Sequence, residues 1–341
     1  MGIRNIKHKL HILKRTIVDG FILRGYRSRF SNVCVLEATN VCSLKCSCCP
    51  NGVTNSNLRQ HGMMNRETFD KFMSQLDMPI KKCYLHMCGE PLLNKSIIYF
   101  ANTLLERNIT PVFFSNGYKI DTTLLDNLLK LKRIEISFSM DILSKEHYEA
   151  IRTPGKFDIA KDSLLRINQV FAQNNKYYGL NIIISPESLR NIGDTCEQLF
   201  REFSHLRSIS LSSLWPWPGL PTTGFLAGHI KTHSEICARY RDLPVVLWNG
   251  DVSFCSFDYS GRLVIGNIHN ESYSHICNND KARRIRRNLL MRRYRNQEFC
   301  NACLLYRYQP FDMILLRNKY LKMTHNQRAE FEKYLRGYYE S

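Results

Sequence analysis

The stretch VCVLEATNVCSLKCSCCP, residues 33–50, decides the fold. Its apolar start predicts a short β-strand. Three thiols follow at a CxxxCxxC spacing, namely Cys42, Cys46 and Cys49. Such a loop can wrap three thiolates around one iron–sulfur cube, with each thiolate on its own iron and a fourth iron left without a protein ligand. The stretch therefore predicts a redox cluster whose open iron can bind and reduce a small molecule.

A zinc centre is the alternative interpretation of these thiols. Cys46-x-x-Cys49 and a second pair, Cys300-x-x-Cys303, have the spacing of a zinc site with four thiolate ligands. The chain contains 13 Cys, and its start lacks a secretory signal pattern. We therefore expect metal or redox use in a reducing compartment, not disulfide bonds.

The length and charge of the chain bound its class. Its 341 residues, 44% of them apolar, suit one large domain or one domain with a small appendage. Apolar runs are too short for a membrane-spanning helix, so we expect a cytoplasmic protein. The formal net charge of +18 favours an anionic substrate, nucleic acid or an anionic membrane surface. Nucleic acid is the least favoured, because no nucleic-acid motif is visible and aromatic residues do not alternate with the basic clusters.

The first two thirds of the chain predict an α/β domain. Residues 1–32 are basic, with apolar residues at helical spacing, and predict a helix that packs on the main domain or lies on an anionic membrane surface. Residues 33–215 alternate strand and helix patterns, which predicts a parallel sheet with helices outside it. We expect strands near 33–37, 82–87, 110–115, 133–139, 179–184 and 207–212. We expect helices near 65–77, 95–107, 121–131, 144–151, 157–173 and 188–204.

The last third has a different pattern. Residues 214–224 are rich in Pro and Gly, which marks a boundary between domains. Residues 216–303 predict a small α+β domain with short strands and a basic helix near 279–295. Residues 304–341 form an aromatic and basic tail that we expect to be helical. The two Trp residues of the boundary, Trp215 and Trp217, either pack the linker or line a substrate entrance.

The CxxxCxxC loop after a first strand resembles the radical S-adenosylmethionine (SAM) enzymes. The resemblance implies a partial (β/α)6 barrel with SAM held on the open iron of a 4Fe–4S cluster. It also implies that one electron cleaves SAM to a 5′-deoxyadenosyl radical, which takes a hydrogen atom from the substrate. A reducing flavodoxin or ferredoxin is the implied electron donor. The sequence departs from the family at Cys48, where an aromatic residue is usual; this Cys is a bystander or an alternative ligand.

Two turns resemble further motifs of this family. Cys88-Gly89-Glu90-Pro91 follows the second predicted strand and is similar to the GGEP motif, with Cys88 in place of the first Gly. The resemblance implies that Glu90 accepts hydrogen bonds from the SAM ammonium, and Gly89 permits the tight turn. Ser115-Asn116-Gly117 ends the third predicted strand and resembles the TNG turn, which places Asn116 at the cofactor.

A third segment resembles the family's SAM-binding residues. Ser139-Met140-Asp141 ends the fourth predicted strand, and Arg152 follows thirteen residues after Ser139. The resemblance implies that Ser139 and Arg152 hold the SAM carboxylate, for which the Arg fork is well suited. Asp141 either meets the ribose or caps the next helix.

Four C-terminal thiols predict a second site. Cys237, Cys255, Cys300 and Cys303 lie in one segment, enough to close an auxiliary 4Fe–4S cluster or a structural zinc module. Their layout resembles the twitch domain, a shortened form of the SPASM extension, and is closest to that of the 2-deoxy-scyllo-inosamine dehydrogenases. No Cys follows Cys303, so we expect one auxiliary cluster.

The second cluster favours a two-electron oxidation, because it can take one electron from a substrate radical. We therefore expect an oxidoreductase that dehydrogenates a carbohydrate or cyclitol, and the net charge of +18 favours an anionic one. His86 is the candidate general base, with Asp258 and His61 as further candidates. Three alternatives stay open: a sugar epimerase with a thiol as hydrogen donor, a peptide- or protein-modifying enzyme of the maturase type, and a zinc-stabilised nucleic-acid-binding protein.

Overall fold

The computed structural model describes residues 32–53, 59–214, 217–220, 229–231, 237–304, 308–310 and 312–340. The predicted N-terminal helix and Trp215 lie outside these residues. None of the helices in the described part of the chain is long and apolar enough to cross a membrane. The domain boundaries near residues 32, 215 and 303 stay predictions.

Six parallel strands follow one another across the main sheet in chain order, as the alternating pattern predicts. They are β1 (Val33–Val35), β2 (Lys82–Tyr84), β3 (Thr110–Ser115), β4 (Glu135–Ser139), β5 (Tyr178–Ile183) and β6 (Leu206–Ser212). Neighbouring strands that follow in sequence need a crossover, and right-handed crossovers place all the helices on one face. The other face is concave, and none of the described crossover helices lies on it. The carboxyl ends of all six strands meet at one edge, where parallel sheets bind ligands.

The one-turn helix α1 (Pro50–Val53) closes the cysteine loop, where its Gly52 and Val53 N–H groups donate to the Cys49 carbonyl. The longer helices of this α/β unit cover the outer face of the sheet. They are α2 (Arg66–Gln75), α3 (Ile97–Glu106), α4 (Thr122–Leu129), α5 (Lys145–Ile151), α6 (Phe157–Gln173) and α7 (Ile192–Glu202). Side-chain oxygens of Asn65, Asp121 and Ser144 accept hydrogen bonds from the first turns of α2, α4 and α5. Such caps satisfy backbone donors that a helix start leaves without partners.

The C-terminal tail contributes a strand that the sequence did not predict. The segment β12 (Asp312–Leu316) pairs antiparallel with β6 and covers the open edge of the sheet. The expectation of a wholly helical tail is therefore wrong at this strand. The tail is helical beyond it, in α11 (Arg317–Tyr320) and α12 (His325–Glu340). An edge strand left uncovered exposes backbone groups that can pair with other chains.

A small second unit packs beside β1. Its strands are β7 (His229–Lys231), β8 (Val245–Val246), β9 (Asp251–Ser253), β10 (Val264–Asn267) and β11 (Tyr308–Pro310), and its helices are α8 (Tyr273–Asn278), α9 (Asp280–Leu290) and α10 (Glu298–Asn301). The three-stranded antiparallel sheet has the order β10–β9–β8, and β7 pairs with β11. The backbone N–H of Glu37 donates to the Val246 carbonyl at 2.9 Å, so this unit is attached where β1 ends.

A buried ion pair strengthens that junction. Both oxygens of the fully buried Glu37 carboxylate accept from the guanidinium of Arg59, at 2.6 and 2.8 Å. The Arg59 Nε donates to the Tyr259 carbonyl at 2.8 Å, and the Trp248 N–H points to Glu37 at 3.4 Å. One carboxylate therefore ties the end of β1 to two loops of the second unit.

We predict that Arg59→Met lowers the free energy of unfolding by about 3 kcal/mol, because it leaves the Glu37 charge buried without its partner. Urea unfolding measures the loss. Glu37→Gln in the same chain is expected to restore part of it, since the uncompensated charge is then gone. The control is Lys82→Met, which breaks the exposed Lys82–Glu135 pair and is expected to cost less than about 1 kcal/mol. Equal losses for Arg59→Met and Lys82→Met would contradict a structural role for the buried pair.

Candidate functional site

The three thiols of the predicted cluster lie in the loop after β1, at the ligand-binding edge of the sheet. Cys46 is buried, and Cys42 and Cys49 are half-buried. The Cys49 N–H donates to the Cys46 carbonyl at 3.1 Å, which folds the last part of the loop into a turn. Backbone N–H groups of Lys45 and Ser47 donate to carbonyls at the end of α5, at 2.6 and 2.9 Å. The barrel therefore holds the loop in place.

Two glycines let backbone segments approach closely around this loop. A Cβ on Gly52 would lie 2.1 Å from the Cys46 carbonyl oxygen, and a Cβ on Gly89 would lie 2.2 Å from that of Thr39. Both distances are far inside van der Waals contact. Gly89 was expected to permit a tight turn, but its φ is not in the left-handed region. A glycine is required there because the turn after β2 packs directly against the start of the cysteine loop.

Burial controls the protonation of the loop thiols. It raises the pKa of Cys42, and it raises the pKa of Cys48 and of Cys49 to about 12. Without a metal these three thiols are therefore protonated at neutral pH, and ligation must release their protons. The Nη1 of Arg152 donates to the Cys46 Sγ at 3.8 Å. The positive charge of Arg152 opposes the rise in the pKa of Cys48 and Cys49.

Glu90 connects two of the predicted motif turns. The carboxylate is buried, with one oxygen accepting from the Asn116 N–H at 2.7 Å and the other from the Leu92 N–H at 3.1 Å. The Asn116 side chain in turn donates to the Cys42 Sγ at 3.5 Å. Burial raises the pKa of Glu90, and these backbone donors oppose that rise. The structure therefore brings Glu90, Asn116 and Cys42 together.

Asp141 and Arg152 form a second buried ion pair. The Arg152 Nε donates to one Asp141 oxygen, and the Ile183 N–H of β5 donates to the other. The neighbouring Asp141 charge raises the pKa of Arg152 above its ordinary value, so the guanidinium stays charged despite its burial. The alternative that Asp141 caps the next helix is wrong, because Ser144 caps α5. Ser139 lies opposite Asn181 of β5, at the open end of β4.

The concave face carries a wall of small polar side chains that the sequence analysis missed. On β4, β5 and β6 every second residue points to this face, and the alternate residues are buried under the helices. The polar members and one glycine are Ser137, Ser139, Gly179, Asn181, Ser208, Ser210 and Ser212. We call this set the hydroxyl wall. The Asn181 Nδ2 is buried without a hydrogen-bond partner among the described residues.

The packing of the hydroxyl wall is closest at its glycine. A Cβ on Gly179 would lie 2.7 Å from the Ser137 Oγ and 3.1 Å from the Ser208 Oγ, so both hydroxyls lean over this residue. A signal for the wall was present in the sequence, as the period-two runs ISFS at 136–139 and SISLS at 208–212. The pattern alone does not say which face the serines occupy.

The opposite side of the concave face is aromatic. His86 follows β2 and packs edge-on against Tyr84 and Phe114, with ring centroids 5.5 and 4.6 Å apart. Its Nδ1 is buried and has no partner among the described residues. Burial lowers the pKa of His86 to about 4, so the imidazole is neutral at physiological pH. The side chain is therefore a neutral ring with one nitrogen available on the same face as the hydroxyl wall.

The four C-terminal thiols converge on one cavity in the second unit. Cys237, Cys255, Cys300 and Cys303 line it together with apolar side chains and Arg239. Burial raises the pKa of Cys255 well above its ordinary value and that of Cys300 to about 12. Four thiols in a largely apolar cavity suit a fully ligated 4Fe–4S cluster, whose thiolates each bind a different iron.

The structure separates the two groups of thiols. Cys46 and Cys49 lie in the loop beside Arg152, and Cys300 and Cys303 lie in the other cavity, so the single zinc centre formed from these two pairs is wrong. Within the described residues, no three His, Cys, Asp or Glu side chains are arranged to hold a single metal ion. An iron–sulfur cube needs its thiolates spread over several irons, and both groups of thiols fit that requirement better.

The structure gives distinct environments to the other candidate residues of the sequence analysis. Asp258 is fully buried and accepts from the Ser253 Oγ at 2.7 Å and the Leu263 N–H at 2.8 Å, which makes it a structural residue and not a general base. Trp217 donates to the Cys48 carbonyl at 3.1 Å and packs against Phe257, as the linker-packing interpretation expects. The third candidate base, His61, is exposed.

Two family models match the chain. Residues 36–199 match the Radical SAM superfamily, and residues 237–304 match SPASM, an iron–sulfur cluster-binding domain. The matches cover both groups of thiols. No curated protein matches the chain.

Solved structures share the fold at low sequence identity. The structure of BtrN in complex with AdoMet and 2-DOIA is 20% identical, with 80% of this chain and 93% of that chain covered and a TM-score of 0.54. Native anSMEcpe with bound AdoMet is 16% identical, with 74% and 82% covered and a TM-score of 0.56. Streptococcus suis SuiB bound to the precursor peptide SuiA is 14% identical, with 84% and 73% covered and a TM-score of 0.61.

We predict that the burial of His86 makes the fold less stable in acid. Its pKa falls from 6.5 to about 4 on folding, so between these values the unfolded chain binds a proton that the folded chain does not. Stability is therefore lost as the pH falls through this window, by about 2 kcal/mol between roughly pH 7 and pH 5. Urea unfolding at both pH values should show that excess loss in the wild type relative to His86→Phe. His61→Phe is the control and should follow the wild type; a His86→Phe variant with the same acid loss as the wild type would contradict the prediction.

Proposed function

We propose that this chain, a radical SAM enzyme with a SPASM domain, is an oxidoreductase that dehydrogenates a small polyhydroxylated substrate of the carbohydrate or cyclitol type. The radical SAM domain binds SAM and a 4Fe–4S cluster, and the SPASM domain binds an iron–sulfur centre. When bound, SAM and its 4Fe–4S cluster supply a 5′-deoxyadenosyl radical, and the iron–sulfur centre of the SPASM domain accepts an electron. The substrate, the reaction and the residue roles below are the proposal.

The residues around each cofactor have distinct roles in this proposal. Cys42, Cys46 and Cys49 bind the first cluster, and Cys237, Cys255, Cys300 and Cys303 bind a single auxiliary one. The SAM amino group binds beside Gly89, Glu90 and Asn116. The SAM carboxylate binds Ser139 and Arg152. Asp141 acts through Arg152, because both of its oxygens are already occupied by Arg152 and the Ile183 N–H.

The hydroxyl wall is the observation that carries the substrate class. Apart from Ser139, which this proposal assigns to SAM, its Ser and Asn side chains can donate to and accept from several hydroxyl groups of one ligand. The aromatic side chains Tyr84 and Phe114 lie beside it on the same face, with Phe114 of β3 next to Ser137 of β4. A pocket with polar groups on one side and aromatic rings on the other suits a sugar-like ring, which presents hydroxyls at its edge and C–H groups on its faces.

His86 is suited to the proton that this oxidation releases. Oxidising an alcohol carbon to a carbonyl removes one hydrogen atom, one electron and one proton. The hydrogen atom leaves to the 5′-deoxyadenosyl radical, and the electron leaves to the auxiliary centre. The proton needs a neutral base on the concave face, and His86 is neutral there because burial lowers its pKa to about 4.

We predict that loss of the three loop thiols and loss of an auxiliary thiol have different effects on the reaction. The Cys42→Ala/Cys46→Ala/Cys49→Ala variant should lose about four irons and all formation of 5′-deoxyadenosine from SAM. Cys255→Ala should still form 5′-deoxyadenosine but release little oxidised product, because the substrate radical cannot lose its electron. Anaerobic assays with iron analysis and chromatography of 5′-deoxyadenosine measure both. The matched control is Cys196→Ala, a buried thiol outside both groups.

The same assay tests the proposed substrate class. Panels of cyclitols and amino sugars, and separately of peptides, should be compared for their stimulation of 5′-deoxyadenosine formation. A product lighter by about two mass units with a cyclitol or sugar supports the proposal. A product of unchanged mass would point to an epimerase, and stimulation by peptides alone to a peptide-modifying enzyme; either result would overturn the proposed dehydrogenation.

We predict that Asn181→Leu weakens the apparent affinity for such a substrate by about tenfold, because it removes a buried amide from the hydroxyl wall. Steady-state kinetics with the best substrate of the panel measure the change. Gln173→Leu removes an exposed amide at the end of α6 and should leave the affinity unchanged. An Asn181→Leu variant with wild-type affinity would exclude the wall as the substrate site.

A further inference from the structure

We infer that the surface beside the auxiliary cysteine cavity docks an acidic one-electron carrier protein, which takes the electron that substrate oxidation leaves there. The inference rests on the proposed function, because it requires the auxiliary centre to be reduced in each turnover. The surface is formed by residues 280–298, which include α9, together with Arg262. We call it the basic face.

The basic face carries a strong positive charge. Residues 280–298 contain eight Lys or Arg, seven of them exposed, against two acids, Asp280 and Glu298. The eighth, Arg286, is buried and does not contribute to the surface. Lys281, Arg284 and Arg287 are exposed on α9, and further exposed Arg residues follow it. The two acids pair locally, Asp280 with Arg283 at 2.8 Å and Glu298 with Arg262 at 3.3 Å. Exposed pairs of this kind are weak, so they do not prevent Arg262 from turning to a partner.

An open cleft in the basic face lies beside the cysteine cavity. The cleft has a volume of about 560 Å³ and is lined by Arg262, Lys281 and Arg284. Leu263 and Phe299 line both the cleft and the cysteine cavity. A partner seated in the cleft is therefore separated from the four thiols by a single layer of side chains. Leu289 and Tyr294, from the same segment, also line the cysteine cavity.

Charge and position together select the kind of partner. A surface with one sign of charge steers an oppositely charged protein and raises its association rate. Electron-transfer complexes have small, transient interfaces, for which steering matters more than buried area. Nucleic acid is less suited, because Tyr294 and Phe299 are buried and offer no exposed ring for a base to stack on. A membrane is less suited, because residues 280–298 expose a single large apolar side chain, Met291, and membrane insertion needs an apolar face.

The electron balance of the step is simple. The substrate radical gives one electron to the auxiliary centre and one proton to a base, and it becomes a carbonyl compound. The reduced centre then gives that electron to the oxidised carrier, for example a flavin quinone that becomes its semiquinone. The centre returns to its oxidised state and no atom is transferred between the proteins.

The test uses a chain that carries the auxiliary centre alone. The Cys42→Ala/Cys46→Ala/Cys49→Ala variant is reduced anaerobically, freed of reductant and mixed with oxidised flavodoxin, an acidic carrier, in a stopped-flow instrument. Flavin semiquinone formation reports the transfer. We expect the rate to fall steeply with added salt, and Lys281→Glu/Arg284→Glu to slow it by about tenfold or more at low salt. The control, Arg166→Glu/Lys132→Glu, makes the same change of net charge on the outside of the α/β unit and should stay within about twofold of the parent.

The outcomes separate the two proposals. A triple variant without iron would overturn the auxiliary cluster and the docking role together. A variant that holds a cluster and reduces flavodoxin equally fast with and without the charge reversal would overturn the docking role alone. Calorimetric titration at low salt adds a readout that does not depend on turnover. If duplex DNA or vesicles with anionic lipid bind the basic face and flavodoxin does not, the docking role is also overturned.

Discussion

The buried ion pair between Asp141 and Arg152 organises the edge of the sheet where the cysteine loop lies. Asp141 follows β4 and also accepts from the backbone of β5, so it connects two strands and the end of α5 through one carboxylate. Arg152 then reaches the Cys46 sulfur. Because a buried charge without its partner is costly, the pair holds each of these segments in one arrangement. The loop that wraps the cluster thus takes its shape from the barrel beneath it.

The junction with the second unit uses the same principle. Glu37 follows β1 as Asp141 follows β4, and its partner Arg59 binds a carbonyl of the second unit. Contacts at strand ends therefore connect the concave face, the cysteine loop and the auxiliary cavity. The proposed reaction, which removes a hydrogen atom at one place and an electron at another, needs such fixed relative positions.

The sequence was sufficient to predict the sheet, its outer helices and the two groups of thiols. Strand and helix patterns there depend on local periodicity, and the Cys spacings are short. It was not sufficient for β12, because a short apolar run such as 312–316 fits a strand or a helix, and its pairing with β6 is set by the tertiary fold. The ion pair of Asp141 was missed for a related reason. A helix cap is a local interaction, whereas the observed partner, Arg152, lies eleven residues further on, beyond an intervening helix.

The hydroxyl wall shows what a glycine can do in the middle of a sheet. At Gly179 the hydroxyl oxygens of the neighbouring serines leave no room for even a methyl group. A larger side chain at Ser208, Ser210 or Ser212 would narrow the concave face by at least one carbon atom and leave the cysteine loop and the auxiliary cavity unchanged. Under the proposed function, such substitutions would change the size of the ring that the enzyme accepts.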